Sequence, residues 1–411
     1  MRVTAIETLR LTDLPNLSWV RIETDEGLTG LGEAFRNSEA TSAYIHETLA
    51  PYLLQRDPLT INAHREAIGR VIGNRFMGTP SRSVELRGNS AVDVALWDIR
   101  AKSLGVPIAH LLGGPARDRI RAYNTCAGYG YNTAVRADWQ SDYVRPGQSV
   151  DAEDPSRPYE DLQAQVNKPG ELAQGLYEMG FTAMKVWPFD AAAKDTGGNR
   201  IDAEDLKAAL RTVEGIRDAC GDKMDIMLEF HGLWRLPAAV TIGKSLEDHA
   251  LFWSEDPIEM HRLDDLKRYR ERVDLPVAGS ENHGSSFWYK DAFALGLIDY
   301  AHFDLGWTGG ISDGLDVAAI ARSYDRAIAP HDCVGPVQFV ANLHLAISQP
   351  NAILQEMVRA YYWGYYQDIV TQLPPFDSGY LALPDGPGLG VELLPDLVRR
   401  EDAIVRRTTA G

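Results

Sequence analysis

Six ionisable residues recur through the second half of the chain at a nearly constant interval. Glu229, Glu255, Glu281, Asp304, His331 and Glu356 follow one another at 26, 26, 23, 27 and 25 residues. That interval holds one strand, one helix and two short loops, and each of the six ends or follows a short apolar run such as DIMLEF (225–230) or RAIAPH (326–331). A carboxylate at the end of a buried strand loses hydration that only a partner, a proton or a metal restores. On neighbouring parallel strands ~4.8 Å apart, Glu229, Glu255 and Glu281 would either repel one another or share a cation. Three oxygen donors with positions left for water and substrate form a set that Mg2+ accepts. Asp256, one residue past Glu255, should face the other way. A single strand-end glutamate is more often salt-bridged to a nearby lysine or arginine, but three at matching spacing strain that explanation.

The histidines narrow the chemistry. His331 in APHDCVGP ends a run one unit after Asp304 in HFDLGWTGG. A carboxylate bonded to one ring nitrogen raises the basicity of the other, which makes the pair a candidate general base. His231 follows Glu229 by two residues, so on an extended chain it would share the glutamate's side and offer a second proton-transfer group. His283 stands at the same offset from Glu281 and is read as structural.

Groups arranged this way need a scaffold that brings successive strand ends to one mouth. Apolar runs near 120 and at 182–187, 225–230, 250–255, 275–280, 300–305, 326–331 and 351–356 alternate with amphipathic helices, as in AEDLKAALRTVEGIRDACG, where Leu206, Leu210, Val213 and Ile216 recur and Gly221 stops the turn. Eight such βα units close into a barrel whose C-terminal rim carries catalytic groups. Upstream, residues 1–35 read as two strands broken by Gly27 and Gly30. A helix follows in GNSAVDVALWDIRAKSLGVP, capped by Asn89 or Ser90, with Val92, Leu96, Ile99 and Leu104 on one face and Gly105 at its end. The chain thus divides into an α+β capping domain (1–118), a barrel (119–372) and a tail (373–411) that packs back on the cap. The segment 129–168 is far longer than a usual βα loop, and suits a lid, an oligomer contact or a disordered stretch.

Composition is that of an ordinary globular protein, with 45% hydrophobic and 24% charged residues. A net charge of −17 repels nucleic-acid phosphates and favours a small-molecule partner. No stretch approaches the ~20 apolar residues of a membrane span, and the N-terminus lacks the apolar core of a signal peptide. Cys126, Cys220 and Cys333 are widely spaced, without a zinc pattern, which suits the reducing cytoplasm.

Taken together, GLTGLGEA, NSAVDVALWDIRAKSLGVPIAHLLGG, LEFHG, WSEDP, AGSEN, DLGWTGGISD, APHDCVGP and LQE resemble the enolase superfamily, and within it the mandelate racemase subgroup. The resemblance spans nearly the whole chain. It implies a (β/α)7β barrel with an α+β cap, Mg2+ on Glu229, Glu255 and Glu281, the His331–Asp304 dyad as base, and Glu356 near the enolate oxygen. Lys185 in MKVWP matches the first lysine of the family's Lys-x-Lys motif. Trp187 stands where the second lysine belongs, so the base for the other face of the substrate is missing, and an indole in its place would line the substrate site. EFHG is similar to the subgroup members that dehydrate sugar acids, in which this histidine, here His231, is the acid. The resemblance therefore implies an acid-sugar dehydratase, with Lys185 helping Mg2+ to stabilise the enolate and a homo-oligomeric assembly. A racemase, epimerase or cycloisomerase on the same fold, and a catalytically silent metabolite-binding barrel, are the alternatives. Residues selecting the sugar acid are expected in a loop around LPNLSW, in RFMGTPS and in 129–168.

Overall fold

The computed structural model describes residues 1–69, 83–133, 145 and 159–410. Most of the 129–168 segment and all of RFMGTPS (75–81) lie outside the described residues, and with them the lid and specificity roles expected there.

The chain opens with three antiparallel strands where two were expected: β1 (Val3–Leu11), β2 (Leu14–Thr24) and β3 (Thr29–Phe35). Gly27, at φ +80°, makes the tight turn between β2 and β3. Gly30 lies inside β3, and a Cβ added there would stand 2.1 Å from the carbonyl oxygen of Ala95; at Gly32 it would stand 1.9 Å from that of Ala91. Both glycines let the helix Val84–Leu104 lie directly on the sheet, so what read as a break in the pattern is a packing surface. LPNLSW forms the start of β2 and is not a loop.

That helix starts earlier than its sequence pattern indicated. Ser83 caps it by accepting the Leu86 N–H at 3.0 Å, while Asn89 and Ser90 lie within it. Val92, Leu96 and Ile99 are buried against the sheet, and Gly105 ends the helix in the left-handed conformation as expected. Leu104 is 60% exposed, because it sits about 120° round the helix from Val92.

Eight described strands then form the barrel: β4 (Arg119–Thr125), β5 (Ala183–Val186), β6 (Asp225–Glu229), β7 (Trp253–Glu255), β8 (Val277–Gly279), β9 (Tyr300–Ala301), β10 (Ala327–Ile328) and β11 (Gln355–Met357). Neighbours pair in parallel from β4 to β10, β11 pairs with β4, and a bridge between Ile328 and Ala352 closes the ring. Helices separate successive strands, among them Ala203–Cys220, Gly310–Ser323 and Pro336–Ser348, which gives (β/α)7β. Tyr123, Ala183, Met227, Trp253, Ala278, Ala329 and Leu354 pack together and fill the barrel. Two residues further along come Lys185, Glu229 and Glu255, on the same face of their strands, together with His331 and Glu356. An apolar plug thus lies beneath a charged layer.

The tail is shared between the two units. β14 (Ala403–Thr409) joins the cap sheet beside β1, as expected. The hairpin of β12 (Phe376–Asp377) and β13 (Tyr380–Ala382) instead pairs with Arg119–Arg121 of β4. Those residues precede the part of β4 that its barrel neighbours reach, and the hairpin covers their open backbone groups.

Three buried acids fasten the cap. Glu33 at the end of β3 accepts the Val337 and Gln338 N–H groups, each at 3.3 Å, at the N-terminus of Pro336–Ser348. Asp93 accepts the Ser312 N–H at 3.0 Å at the N-terminus of Gly310–Ser323, and Asp98 accepts the Leu389 N–H of the tail at 2.8 Å. Unpaired N–H groups at a helix start attract carboxylates. Each acid abuts a glycine (Gly335, Gly310 and Gly388), where an added Cβ would come within 2.3, 2.4 and 2.0 Å of the carboxylate. No described helix is long and apolar enough to cross a membrane.

Candidate active site

Lys185, from β5, lies at the centre of the charged layer. Its ammonium is 2.8 Å from Glu255 Oε1, 2.8 Å from Glu356 Oε1 and 3.5 Å from Glu229 Oε2, with every partner buried. Burial alone would lower its pKa, but Glu255 and Glu356 outweigh burial and hold it well above the usual lysine value. Beside it stands His302, which the sequence pattern had hidden as one more member of the apolar run YAHFDL. Its Nδ1 donates to the Ala329 carbonyl at 2.6 Å, and Nε2 lies 3.1 Å from Glu255 and 3.2 Å from Glu356. Those acids raise its pKa to about 9 against the effect of burial. Glu356 is wholly buried against Lys185 and His302 and also accepts the Asp332 N–H at 3.1 Å.

Glu229 and Glu255 face each other across β6 and β7 as direct partners. Glu281 does not share their register: the partner of Glu255 on β8 is Ala278, and Glu281 lies in the turn beyond the strand. The turn nonetheless folds it back, so that ligand atoms of all three glutamates lie within 4.8 Å of one another. Burial, then the adjacent Glu255, pushes the Glu229 carboxyl well above the usual carboxylate range. Glu229 Oε2 accepts no hydrogen bond among the described residues. A buried acid set in which Glu229 Oε2 meets the Lys185 ammonium only at 3.5 Å, with acids outnumbering cations, fits a divalent cation. Asp256, expected to face away from the triad, has φ +40° and accepts from the Ser280 hydroxyl at 2.6 Å.

Two histidines stand at opposite ends of this triad. His331, beyond β10, has Nε2 2.7 Å from Glu281 and Nδ1 2.8 Å from Asp304. Asp304 is itself fixed by the Gly306 N–H at 2.7 Å, and Asn342 holds the His331 carbonyl at 2.8 Å. Burial would lower the pKa of His331, but Glu281, Glu356 and Asp304 raise it well above the ordinary value. His231 stands at the Glu229 end. It gets there by a route other than the extended chain expected: β6 stops at Glu229, His231 adopts φ +51°, and its own N–H turns back onto the Glu229 carboxylate. Its Nδ1 lies 2.6 Å from Asp190, an acid that no motif marked.

Each histidine packs against a tryptophan backed by the cap. Trp307 lies 5.2 Å from the His331 ring and stacks on Phe35 of β3 at 6.0 Å. Trp187 lies 4.9 Å from the His231 ring and stacks on Tyr131, whose hydroxyl accepts from Arg36 at 3.1 Å. The Trp187 backbone N–H donates to Gln165 at 2.7 Å, which ties this wall to the helix Asp161–Asn167.

A capped barrel with acids, a lysine and two histidines at its mouth defines the enolase class of enzymes, and comparison with known proteins gives the same answer. Residues 169–397 match the family described as enolase C-terminal domain-like, and residues 4–113 match the mandelate racemase / muconate lactonizing enzyme N-terminal domain. The chain belongs to the mandelate racemase/muconate lactonizing enzyme family of the enolase superfamily, in its mandelate racemase subgroup. It is 30% identical over 410 residues to a D-galactonate dehydratase of Pectobacterium atrosepticum, covering 97% of this chain and 94% of that one. It is 31% identical over 408 residues to a D-galactonate dehydratase of Verminephrobacter eiseniae, with the same coverage. Among solved structures, an enolase of the mandelate racemase subgroup from Agrobacterium tumefaciens superposes with a TM-score of 0.85 at 40% identity, over 100% of this chain and 99% of that one.

Proposed function

We propose that the protein is a Mg2+-dependent acid-sugar dehydratase, which removes water from a sugar acid to give a 2-keto-3-deoxy acid. The observation that carries this reading is the placement of His331 and His231 at opposite ends of one glutamate triad, with an indole at position 187 where a second lysine would stand. The names of the full-length relatives support it and put D-galactonate first among substrates to try.

Glu229, Glu255 and Glu281 would hold the cation. A proton next to a carboxylate is very weakly acidic, and bound Mg2+ would stabilise the charge that builds on the substrate carboxylate as that proton leaves. The Lys185 ammonium adds positive charge from β5, and Glu255 and Glu356 keep it protonated. Asp304 holds the His331 Nδ1–H, and Glu281, when shared with a cation, would be drawn away from Nε2 and raise its basicity less, leaving Nε2 of the neutral ring as the base that would take the α-proton. His231 gives a proton to the β-hydroxyl as its C–O bond breaks, and water departs. The enol left behind tautomerises to the keto acid. Trp187 and Glu356 complete the substrate surroundings, the first as a wall and the second through Lys185.

The test is a panel of sugar acids, D-galactonate among them, in D2O with Mg2+ and keto-acid detection. His331→Asn should lower both α-proton exchange and dehydration by at least about 100-fold. His231→Asn should stop dehydration and leave exchange. Exchange without keto acid in the wild type points to a racemase or epimerase, and loss of exchange in both variants reverses the assignment of base and acid.

A further inference from the structure

Asp190 has no place in the reaction as drawn, yet its position is unusual. It begins the helix Asp190–Thr196 after β5 and is 3% exposed. Oδ2 lies 2.6 Å from His231 Nδ1, and Oδ1 has no hydrogen-bond partner among the described residues. No other ion pair of Asp190 occurs among them. A buried carboxylate with a single partner is costly unless that partner is held in return. The imidazole is fixed on two sides, by the Asp190 bond at Nδ1 and by the Trp187 ring 4.9 Å away at 43°. Nε2 is the ring nitrogen left for the mouth. The arrangement repeats that of Asp304 and His331 at the other end of the triad.

We propose that Asp190 is a positioning residue for the elimination step: it holds His231 Nδ1–H so that Nε2 delivers the proton to the departing β-hydroxyl. The proposal rests on the dehydratase reading. No net chemistry is added, because the proton that leaves Nε2 departs with the hydroxyl as water. A ring released from Asp190 is free to rotate, and then misplaces the donor while leaving His331 and the glutamates untouched.

The experiment compares full-length wild type, Asp190→Asn, Asp190→Glu and His231→Asn with Mg2+. In 15N-imidazole spectra the resonances assigned by their loss in H231N should show protonated Nδ1 in the wild type and an altered tautomer in D190N. This readout needs no substrate. With a turned-over acid, D190N should lose about 10- to 100-fold in kcat for dehydration, with KM within about twofold and α-proton exchange at the wild-type rate, and D190E should recover part of the loss. Unchanged His231 resonances in D190N overturn the proposal whatever the substrate. So does dehydration at the wild-type rate, or equal loss of exchange and dehydration. If the wild type dehydrates no acid in the panel, the functional reading fails and the spectra alone decide the role of Asp190.

Discussion

At the scale of single residues, the glutamate triad makes the sharpest claim. If it is one cation site, Mg2+ should raise the melting temperature of the wild type, by linkage to the folded state, and each of Glu229→Gln, Glu255→Gln and Glu281→Gln should remove most of that rise. A variant that keeps the full rise is not a ligand. Trp187 makes a second claim, since an indole N–H can donate but not accept a proton. The enzyme should therefore dehydrate one configuration at C2 and leave the other untouched. Keto-acid formation and optical rotation followed on both C2 epimers check this, and racemised leftover substrate counts against a single base. Most of the charged layer was legible because acids and histidines at strand ends recur at a fixed interval. Asp190 and His302 were not. One begins a short helix, Asp190–Thr196, that no repeat of the acids marks, and the other sits inside an apolar run where a histidine looks like core. Glu281 and His231 lie beside the charged layer, but turns and not the strand register read from the sequence bring them there.

At the scale of elements, the helix Ala203–Cys220 follows its sequence pattern closely, because period and stop signals agree there, while the barrel strands fall on the expected runs but are shorter, β9 and β10 keeping two residues each. The misreadings fall where tertiary contact overrides local pattern: Gly30 and Gly32 serve a helix lying on β3, and β4 runs past its neighbours and recruits a hairpin. The helix Pro336–Ser348 shows how tightly elements are joined. Wholly buried His344 donates from Nε2 to the Leu389 carbonyl at 3.0 Å and accepts the Ala109 N–H on Nδ1 at 3.3 Å, linking barrel, connector and tail. Burial lowers its pKa to about 4 from 6.5. Between those values the unfolded chain binds a proton that the folded one refuses, so stability is full above 6.5 and falls as pH drops towards 4. The loss from this residue should reach about 3 kcal/mol at most. In urea titrations across that window, His344→Gln should show a shallower slope than wild type, whatever its absolute stability. Parallel slopes would assign the acid sensitivity elsewhere.

At the scale of the whole molecule, the cap meets the barrel through Glu33 and Asp93 and the tail through Asp98, each seated against a glycine and backbone N–H groups. Burial raises these acids to about 8, 7 and 6, respectively. Gly335→Ala drives a methyl group into the Glu33 carboxylate and should cost about 1–3 kcal/mol. In a Glu33→Ala background most of that cost should vanish, and denaturation of the four proteins in a double-mutant cycle measures the coupling. Additive losses would mean that the two residues do not bear on each other. Two of these seats lie at the starts of Gly310–Ser323 and Pro336–Ser348, a short way along the chain from Asp304 and His331, so cap position and base position are set together. The consequence reaches to recombination between relatives. A foreign cap grafted onto this barrel brings its own substrate-facing surface, but it will seat only if its acids meet Gly310, Gly335 and Gly388. Crossovers that separate an acid from its glycine should yield misaligned chimeras, and those that keep all three pairs should yield new selectivities on an intact catalytic frame.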